Sequence, residues 1–426
     1  MQKLKSFNNK INNGVRKFLN DLFNKRALLF WFIIITIIAL AIRIACFPTT
    51  SKDLNTYLFP WCDIIKSNGT KAFLDTYPAH YNYSMAYFYI LAFVSKVGSN
   101  HTQFTYLIKA FSVLFDFSLA FVIGLISYNV TKRKNSFLYG YSLALLIPSV
   151  FLNSSAWGQC DSIFTFFIAL CLNLIIKNKN NYAMLSYGLA IGLKFQAIFF
   201  LPIILFLVVK NKIKFTSLLL IFVSFIGINL FSVFLGADLY TALIRSYIEQ
   251  LQSFGNASLN FPNLYVLVND FFADGGVKQK TSLIVFLCFT LAVVFIIFTY
   301  LTRKDFTITN DLLIKLSILF VTVIPYFLPR MHDRYLYIAD ILFAVLVATN
   351  FKKVYLGFLV WYPSLRCYSD YLFDAKIDNQ VSVVCIALMV LLGIILVFLD
   401  IHKQINTQQP MLPQDSLQED KPIQEE

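Results

Sequence analysis

Charge is what this sequence has little of: Asp, Glu, Lys and Arg together make only 14% of its 426 residues. Long polar stretches are missing too. The longest are an N-terminal tail, two loops of about forty to sixty residues and a short C-terminal tail, too little for a soluble domain. The seven cysteines form neither a CxxC pair nor a metal spacing. Several of them, such as Cys171, Cys288 and Cys385, fall inside apolar runs and read as packing residues. No cofactor is expected. No small-residue cleavage site follows the first apolar run, and the basic segment Lys3 to Arg26 precedes it, so it reads as a retained first span. What the chain does have is a hydrophobic content of 58%, in runs of membrane-spanning length from end to end. The class is therefore an all-α polytopic membrane protein. The net charge of +13 sits mostly in short segments flanking apolar runs, where it sets orientation, and nucleic acid is excluded as a partner.

The apolar runs lie at about 28–47, 84–98, 106–130, 137–153, 161–177, 182–209, 215–236, 281–301, 311–328, 335–350, 354–369 and 381–400. Two of them fail as simple crossings. If 84–98 crossed, Lys132-Arg133-Lys134 would emerge on the outer side, against the positive-inside rule; at roughly 22 Å as a helix it is also short of a core of about 30 Å. It suits a helix lying at the outer surface. The run 182–209 has basic clusters at both ends and Lys194 inside it, so it is expected to enter and return as a re-entrant pair of short helices. Twelve residues reach roughly 18 Å, which puts Lys194 past the midplane, where broken backbone needs protein or a water-filled cavity around it. The expectation is about ten full spans with this short pair and interfacial helices in the first outer loop. The basic tail 1–27 and a disordered tail 402–426 lie inside, a transmembrane domain covers 28–401, and the loops 48–105 and 237–280 lie outside.

Four polar clusters fall at the outer helix ends. The first holds Asp53 and Asn55, with Pro60-Trp61 close behind. Asp53 is either a base or a cap for the helix that follows. The second, Asn153 to Asp161, contains Trp157, Gln159 and Asp161; Asp161 suits an N-cap and Trp157 an interface anchor as well as they suit a pocket. The third is Lys194-Phe195-Gln196, whose lysine is costly in a membrane unless paired or hydrated. In the fourth, Arg330-Met331-His332-Asp333-Arg334-Tyr335, two arginines stand on the outer side against the charge bias. Phosphate accounts for them, since the guanidinium fork matches it; ion pairing with Asp333 is the alternative.

In these clusters the chain resembles GT-C-type glycosyltransferases, the membrane enzymes that take a sugar from a polyprenyl-phosphate carrier, and most of all bacterial relatives of the second mannosyltransferase of GPI-anchor synthesis. The matching residues are Asp53 with Pro60-Trp61, Trp157-Gly158-Gln159-Cys160-Asp161-Ser162, Lys194-Phe195-Gln196 ahead of Pro202, and Met331-His332-Asp333-Arg334-Tyr335. The resemblance implies a GT-C-type bundle in a bacterial plasma membrane, with both termini cytoplasmic and the site facing outside. It implies transfer of mannose or glucose to a hydroxyl on a glycan, lipid or protein acceptor. Asn55 stands where many GT-C enzymes have a second acidic residue, and the segment Tyr77 to Ser84 lacks a tandem Pro-Pro, so neither a metal-bridged carboxylate pair nor the usual acceptor contacts are expected.

A phosphate leaving group is already a stable anion, so one base suffices: Asp53 takes the acceptor proton during an inverting attack. A glycosidase, by contrast, needs an acid as well. Arg334, His332, Arg330 and Lys194 are then the donor-phosphate residues, and Asn55, Trp61, Trp157, Gln159, Asp161, Gln196 and Asp333 shape the pocket. The rival classes are a lipid-linked oligosaccharide flippase or transporter, which also buries charge and breaks helices, and a polysaccharide polymerase or ligase, which the loop 237–280 leaves open.

Overall fold

Backbone in a lipid-like interior has to satisfy its own hydrogen bonds, and runs this apolar do so as helices. The structure, a computed structural model, describes residues 26–78, 81–252, 258–267, 277–375 and 380–408. The two terminal tails expected at 1–27 and 402–426 lie largely outside the described residues, as do parts of the loop 237–280. Six described helices are long and apolar enough to cross a membrane: Arg26–Cys46, His101–Thr131, Phe215–Leu235, Leu283–Arg303, Asn310–Phe327 and Ser382–Asn406. A seventh crossing is available if Lys134–Leu146 and Pro148–Trp157, bent by 54°, count as one. Ten apolar runs thus give six or seven helices of full length. The helix Asp161–Ile176 has 16 residues and Tyr337–Thr349 has 13, about 24 and 20 Å long. Tyr337–Thr349 is buried along nearly its whole length, packed against His101–Thr131, Lys134–Leu146, Asn310–Phe327 and Val354–Phe373. It is an axle inside the bundle, with protein rather than lipid around it.

The segment 182–209 breaks where the lysine stands. The helix Asn180–Leu193 ends at Lys194, whose backbone is extended, and a 3-10 turn, Phe195–Phe200, leads into Leu201–Val209. Its two ends meet: the Asn180 side-chain amide donates to the Lys212 carbonyl at 2.7 Å, and Ser217 hydrogen-bonds Asn181 at 2.8 Å. The run 84–98 forms the short helix Met85–Val97 and belongs to a separate layer. There, with Phe59–Thr76, it surrounds a second apolar cluster that includes Leu58, Trp61, Phe73, Tyr81, Phe88 and Leu91.

Two buried cations join the first helix and the loop after it to the bundle. Arg43 donates to Asp116 at 2.7 Å and to the carbonyls of Ala39 and Leu145, and both charged side chains are fully buried. Lys109 caps the end of the same helix, donating to the carbonyls of Cys46, Phe47 and Thr49. Thr49 and Ser51 then donate to the carbonyls of Ala156 and Trp157, stitching the loop after the first helix to the turn within the second cluster. Removing one partner of a buried pair strands the other charge at a cost of about 3–5 kcal/mol, whereas replacing both can be neutral. Arg43→Leu should therefore destabilise the protein strongly in detergent unfolding, and Arg43→Leu with Asp116→Leu should recover most of the loss; a double variant as unstable as the single would show that the pair is not what matters.

Candidate functional site

The first and second clusters meet through Asp53. Its backbone sits where a cap would for the π-helix Leu54–Leu58, but its side chain makes no capping bond. The carboxylate instead accepts from Trp157 Nε1 at 2.8 Å and Gln159 Nε2 at 2.7 Å on Oδ2, and from the Tyr371 hydroxyl at 2.7 Å on Oδ1. A carboxylate has about four acceptor positions. These donors fill three, and one on Oδ1 is left for a further hydroxyl.

The turn that aims two donors at one oxygen depends on Gly158. Residues Leu152–Trp157 wind as a wide π-type turn that closes on Gly158 at φ +81°, a conformation L side chains rarely adopt. A Cβ there would press on Leu54 at 3.3 Å. Tyr83 fixes the amide of Gln159 by donating to its Oε1 at 2.9 Å, which turns the NH2 toward Asp53. Burial holds the Tyr83 phenol well above its usual range, so it is a neutral donor.

Asp161 opens the helix Asp161–Ile176 but does not cap it. Fully buried, it pairs with Lys194, accepts from Asn153 at 2.8 Å and lies 3.6 Å from Arg334 Nε. Tyr368 also hydrogen-bonds Asn153, at 2.8 Å. Arg334 stands where three carboxylates converge, with Nη1 at 3.9 Å from Asp53 and 4.0 Å from Asp333. It lies over the Trp157 ring at 5.3 Å, and its Nε makes no hydrogen bond among the described residues. A small polar cavity of about 60 Å³ opens beside it, lined by Tyr83, Ser84, Lys194, His332, Arg334 and Tyr335 among others.

Electrostatics divides the fourth cluster. Burial, with Arg334 and Lys194 nearby, pushes His332 well below its ordinary value, so it is neutral and offers a hydrogen bond rather than a charge. Burial raises Asp333 to about 7, against the pull of Arg334. The carboxylates of Asp161, Asp53 and Asp333 hold Arg334 well above its ordinary value despite burial. The cluster is braced from the segment 258–267, because Ser258–Leu259 pairs in parallel with Met331–His332 and the Asp333 amide donates to the Leu259 carbonyl at 3.1 Å. The neighbouring Cys160 thiol is pushed up to about 11 by burial and packs as a neutral group.

Other expected pocket residues stand back from this centre. Asn55 is exposed on the helical turn, and its side chain takes no part in the bonds around Asp53. Trp61 is buried in the first-loop core, edge-on to Tyr83 at 5.7 Å, and supports the pocket from behind. Arg330 takes a left-handed backbone (φ 63°) and is not among the residues lining the cavity. Gln196 is buried next to Lys194 with its amide nitrogen and oxygen unbonded among the described residues. The residues the sequence did not single out are Tyr371 and Tyr368, and Tyr83 stood out only as part of the segment Tyr77 to Ser84; tyrosines at helix ends are also what interface anchoring produces, so composition gave no signal.

An apolar groove of about 710 Å³ runs between the 195–209 segment and the helices 277–303 and 310–327, lined by Phe199, Pro202, Leu205, Phe295 and Phe298 among others. It reaches close to the polar cavity. Phe199, on its wall, meets Tyr335, on the cavity wall, with ring centroids 5.9 Å apart.

Neither protein-family models nor curated proteins give a match to this chain.

The raised Asp333 value fixes a sign. The folded protein holds this proton up to about pH 7, whereas an unfolded aspartic acid releases it near its usual value of about 3.9, so this residue subtracts stability as pH rises between those limits. Asp333→Asn should flatten that part of the stability profile relative to the native chain. An identical slope in both proteins, measured by thermal unfolding from pH 4 to 8, would place the proton elsewhere.

Proposed function

We propose that this protein is a GT-C-type membrane glycosyltransferase that moves a hexose, mannose or glucose, from a polyprenyl-phosphate carrier to a hydroxyl on a glycan, lipid or protein. On this reading the bundle lies in a bacterial plasma membrane with both termini in the cytoplasm and the Asp53 site outside, as the flanking basic residues suggest. The observation that carries the proposal is the pairing of one orientated carboxylate with one poised guanidinium. Asp53 has three donors fixing it and one acceptor position open among the described residues, and Arg334 lies 3.9 Å away with its Nε making no hydrogen bond among them.

The chemistry needs one base. As the acceptor oxygen bonds to the anomeric carbon, its proton passes to the open position on Asp53 Oδ1, and the carbon–oxygen bond to the carrier breaks with its electron pair going to phosphate. The product has inverted configuration. The growing negative charge is met by Arg334, with the neutral His332 donating a hydrogen bond. Lys194 contributes while tied to Asp161, whose second oxygen faces Arg334. The apolar groove supports the lipid half of the reading: an isoprenoid chain lying along Pro202, Leu205 and Phe298 brings its head to the cavity past Phe199 and Tyr335.

Purified protein in lipid, given radiolabelled polyprenyl-phosphate mannose or glucose and a membrane extract as acceptor source, tests the proposal. Wild type should form a labelled product, and Asp53→Asn should lower turnover by at least about 10²-fold with carrier binding intact. Arg334→Ala and Arg334→Lys should both weaken carrier binding, by about 1.5–3 kcal/mol for the lost charge-assisted bond. Normal turnover by Asp53→Asn removes the base assignment, and movement of an unmodified substrate across the bilayer points to a flippase instead.

A further inference from the structure

Asp53 lies 318 residues before Tyr371 in the chain, yet the two side chains are in contact. Tyr371 is on the last turn of Val354–Phe373, beyond every polar cluster that the sequence singles out. Its hydroxyl does two things. It donates to Asp53 Oδ1 at 2.7 Å and accepts from the Asp53 backbone N–H at 3.1 Å, so both the side chain and the main chain of one residue are referred to one oxygen. The ring in turn lies flat on Trp157, with centroids 3.9 Å apart and planes 10° from parallel. Trp157 is the residue that holds the other oxygen of the same carboxylate.

The same helix reaches the second carboxylate. Tyr368, one turn earlier and fully buried, meets Trp157 edge-on at 5.3 Å and hydrogen-bonds Asn153, which donates to Asp161. Two tyrosines three residues apart on one helix face thus brace two carboxylates from two other segments. A tyrosine whose only task was to anchor a helix at the membrane surface would put its hydroxyl in water. This one puts it on the carboxylate.

We infer that Tyr371 is the positioning residue for Asp53, setting the direction in which the open lone pair of Oδ1 faces an incoming acceptor hydroxyl. The inference rests on the proposed transfer reaction for its catalytic meaning, while the contact itself can be tested without it. A carboxylate held on Oδ2 alone can rotate about its side-chain torsion, and small misplacements of a reacting group cost heavily in rate. The hydroxyl acts through Asp53, on the oxygen that takes the proton, and touches neither the sugar donor nor the acceptor, so its loss should appear in turnover and leave carrier binding unmoved.

Tyr371→Phe keeps the ring on Trp157 and deletes the hydroxyl alone. In the transfer assay it should lower kcat about tenfold or more with the KM for the lipid donor and the thermal stability close to wild type. The double variant Tyr371→Phe with Asp53→Asn should be no slower than Asp53→Asn, because a residue that acts through Asp53 has nothing left to act on. Full turnover in Tyr371→Phe, or losses that multiply in the double variant, overturns the inference. Labelling of Asp53 by a water-soluble carbodiimide, read by peptide mass, gives an answer independent of any sugar transfer. It should rise several-fold in Tyr371→Phe as Oδ1 is uncovered, and equal labelling overturns the inference. If wild type transfers no sugar while the labelling rises, the transferase reading fails and the positioning contact stands.

Discussion

Asp161 is the point on which the structure turns. A fully buried carboxylate in an apolar bundle is costly unless compensated, and this one is compensated from two directions, by Lys194 and by Arg334, with Asn153 on a third side. Each partner belongs to a different segment. Lys194 is the break in a hairpin, Arg334 comes from the loop before the central helix, and Asn153 lies in the π-type turn. Meeting at one carboxylate fixes the depth of the hairpin break and the approach of the arginine loop together. The extended backbone at Lys194, which leaves a helix end inside the bundle, is tolerated because its side chain finds this partner.

From Asp161 the order spreads outward to Asp53. The turn that supplies Asn153 continues into Trp157 and, past the left-handed Gly158, into Gln159, so the segment that anchors one carboxylate also orientates the other. The loop that carries Asp53 is separately held to this turn through Thr49 and Ser51, and Lys109 ties the end of its helix down. Rigid donors around a carboxylate are what a general base needs, because hydrogen bonds formed before the reaction cost nothing to organise during it. The aromatic plate of Trp157, with Tyr371 on it and Arg334 above, brings the Asp53 carboxylate and the guanidinium to the same ring.

The class, the break at Lys194 and the gathering of the polar clusters were legible in the sequence because each rests on a strong local rule. Apolar length, basic flanks and a lysine within an apolar run each leave the chain few ways to satisfy its backbone and its charges. The span count was less legible, since an apolar run such as 335–350 reads alike whether lipid or protein surrounds it; the helix it forms, Tyr337–Thr349, is enclosed by neighbouring helices. Asn55 and Trp61 were placed in the pocket by their nearness to Asp53 in sequence, but the turn at Leu54–Leu58 carries Asn55 to the surface, and Trp61 enters a core of its own. The pair Arg43–Asp116 lay hidden in runs whose few charges did not disturb the apolar average, although buried charges of opposite sign in two such helices require partners. Tyr371 could not have been found by any local rule: its partner is set by the packing of the whole bundle.

A last constraint comes from counting charge around Arg334. Three carboxylates, Asp53, Asp161 and Asp333, face two cations, Lys194 and Arg334. Left fully ionised, that set would carry a net negative charge and repel the phosphate the proposed reaction brings. Two features of the site soften this. Burial raises Asp333 to about 7, so near neutrality a large share of it carries its proton, and the remaining two carboxylates balance the two cations. The Nε of Arg334 lies 3.6 Å from Asp161 and makes no hydrogen bond among the described residues, so an incoming phosphate oxygen can take its N–H without first breaking one. A phosphodiester adds a single negative charge to a balanced site, and more charge gathers on the phosphate as the sugar leaves, which is met only if the cations stay where the buried Asp161 holds them. The most buried acid in the cluster is thus the one that keeps the guanidinium in place, and the partly exposed one beside it is left for the proton transfer of the proposed reaction.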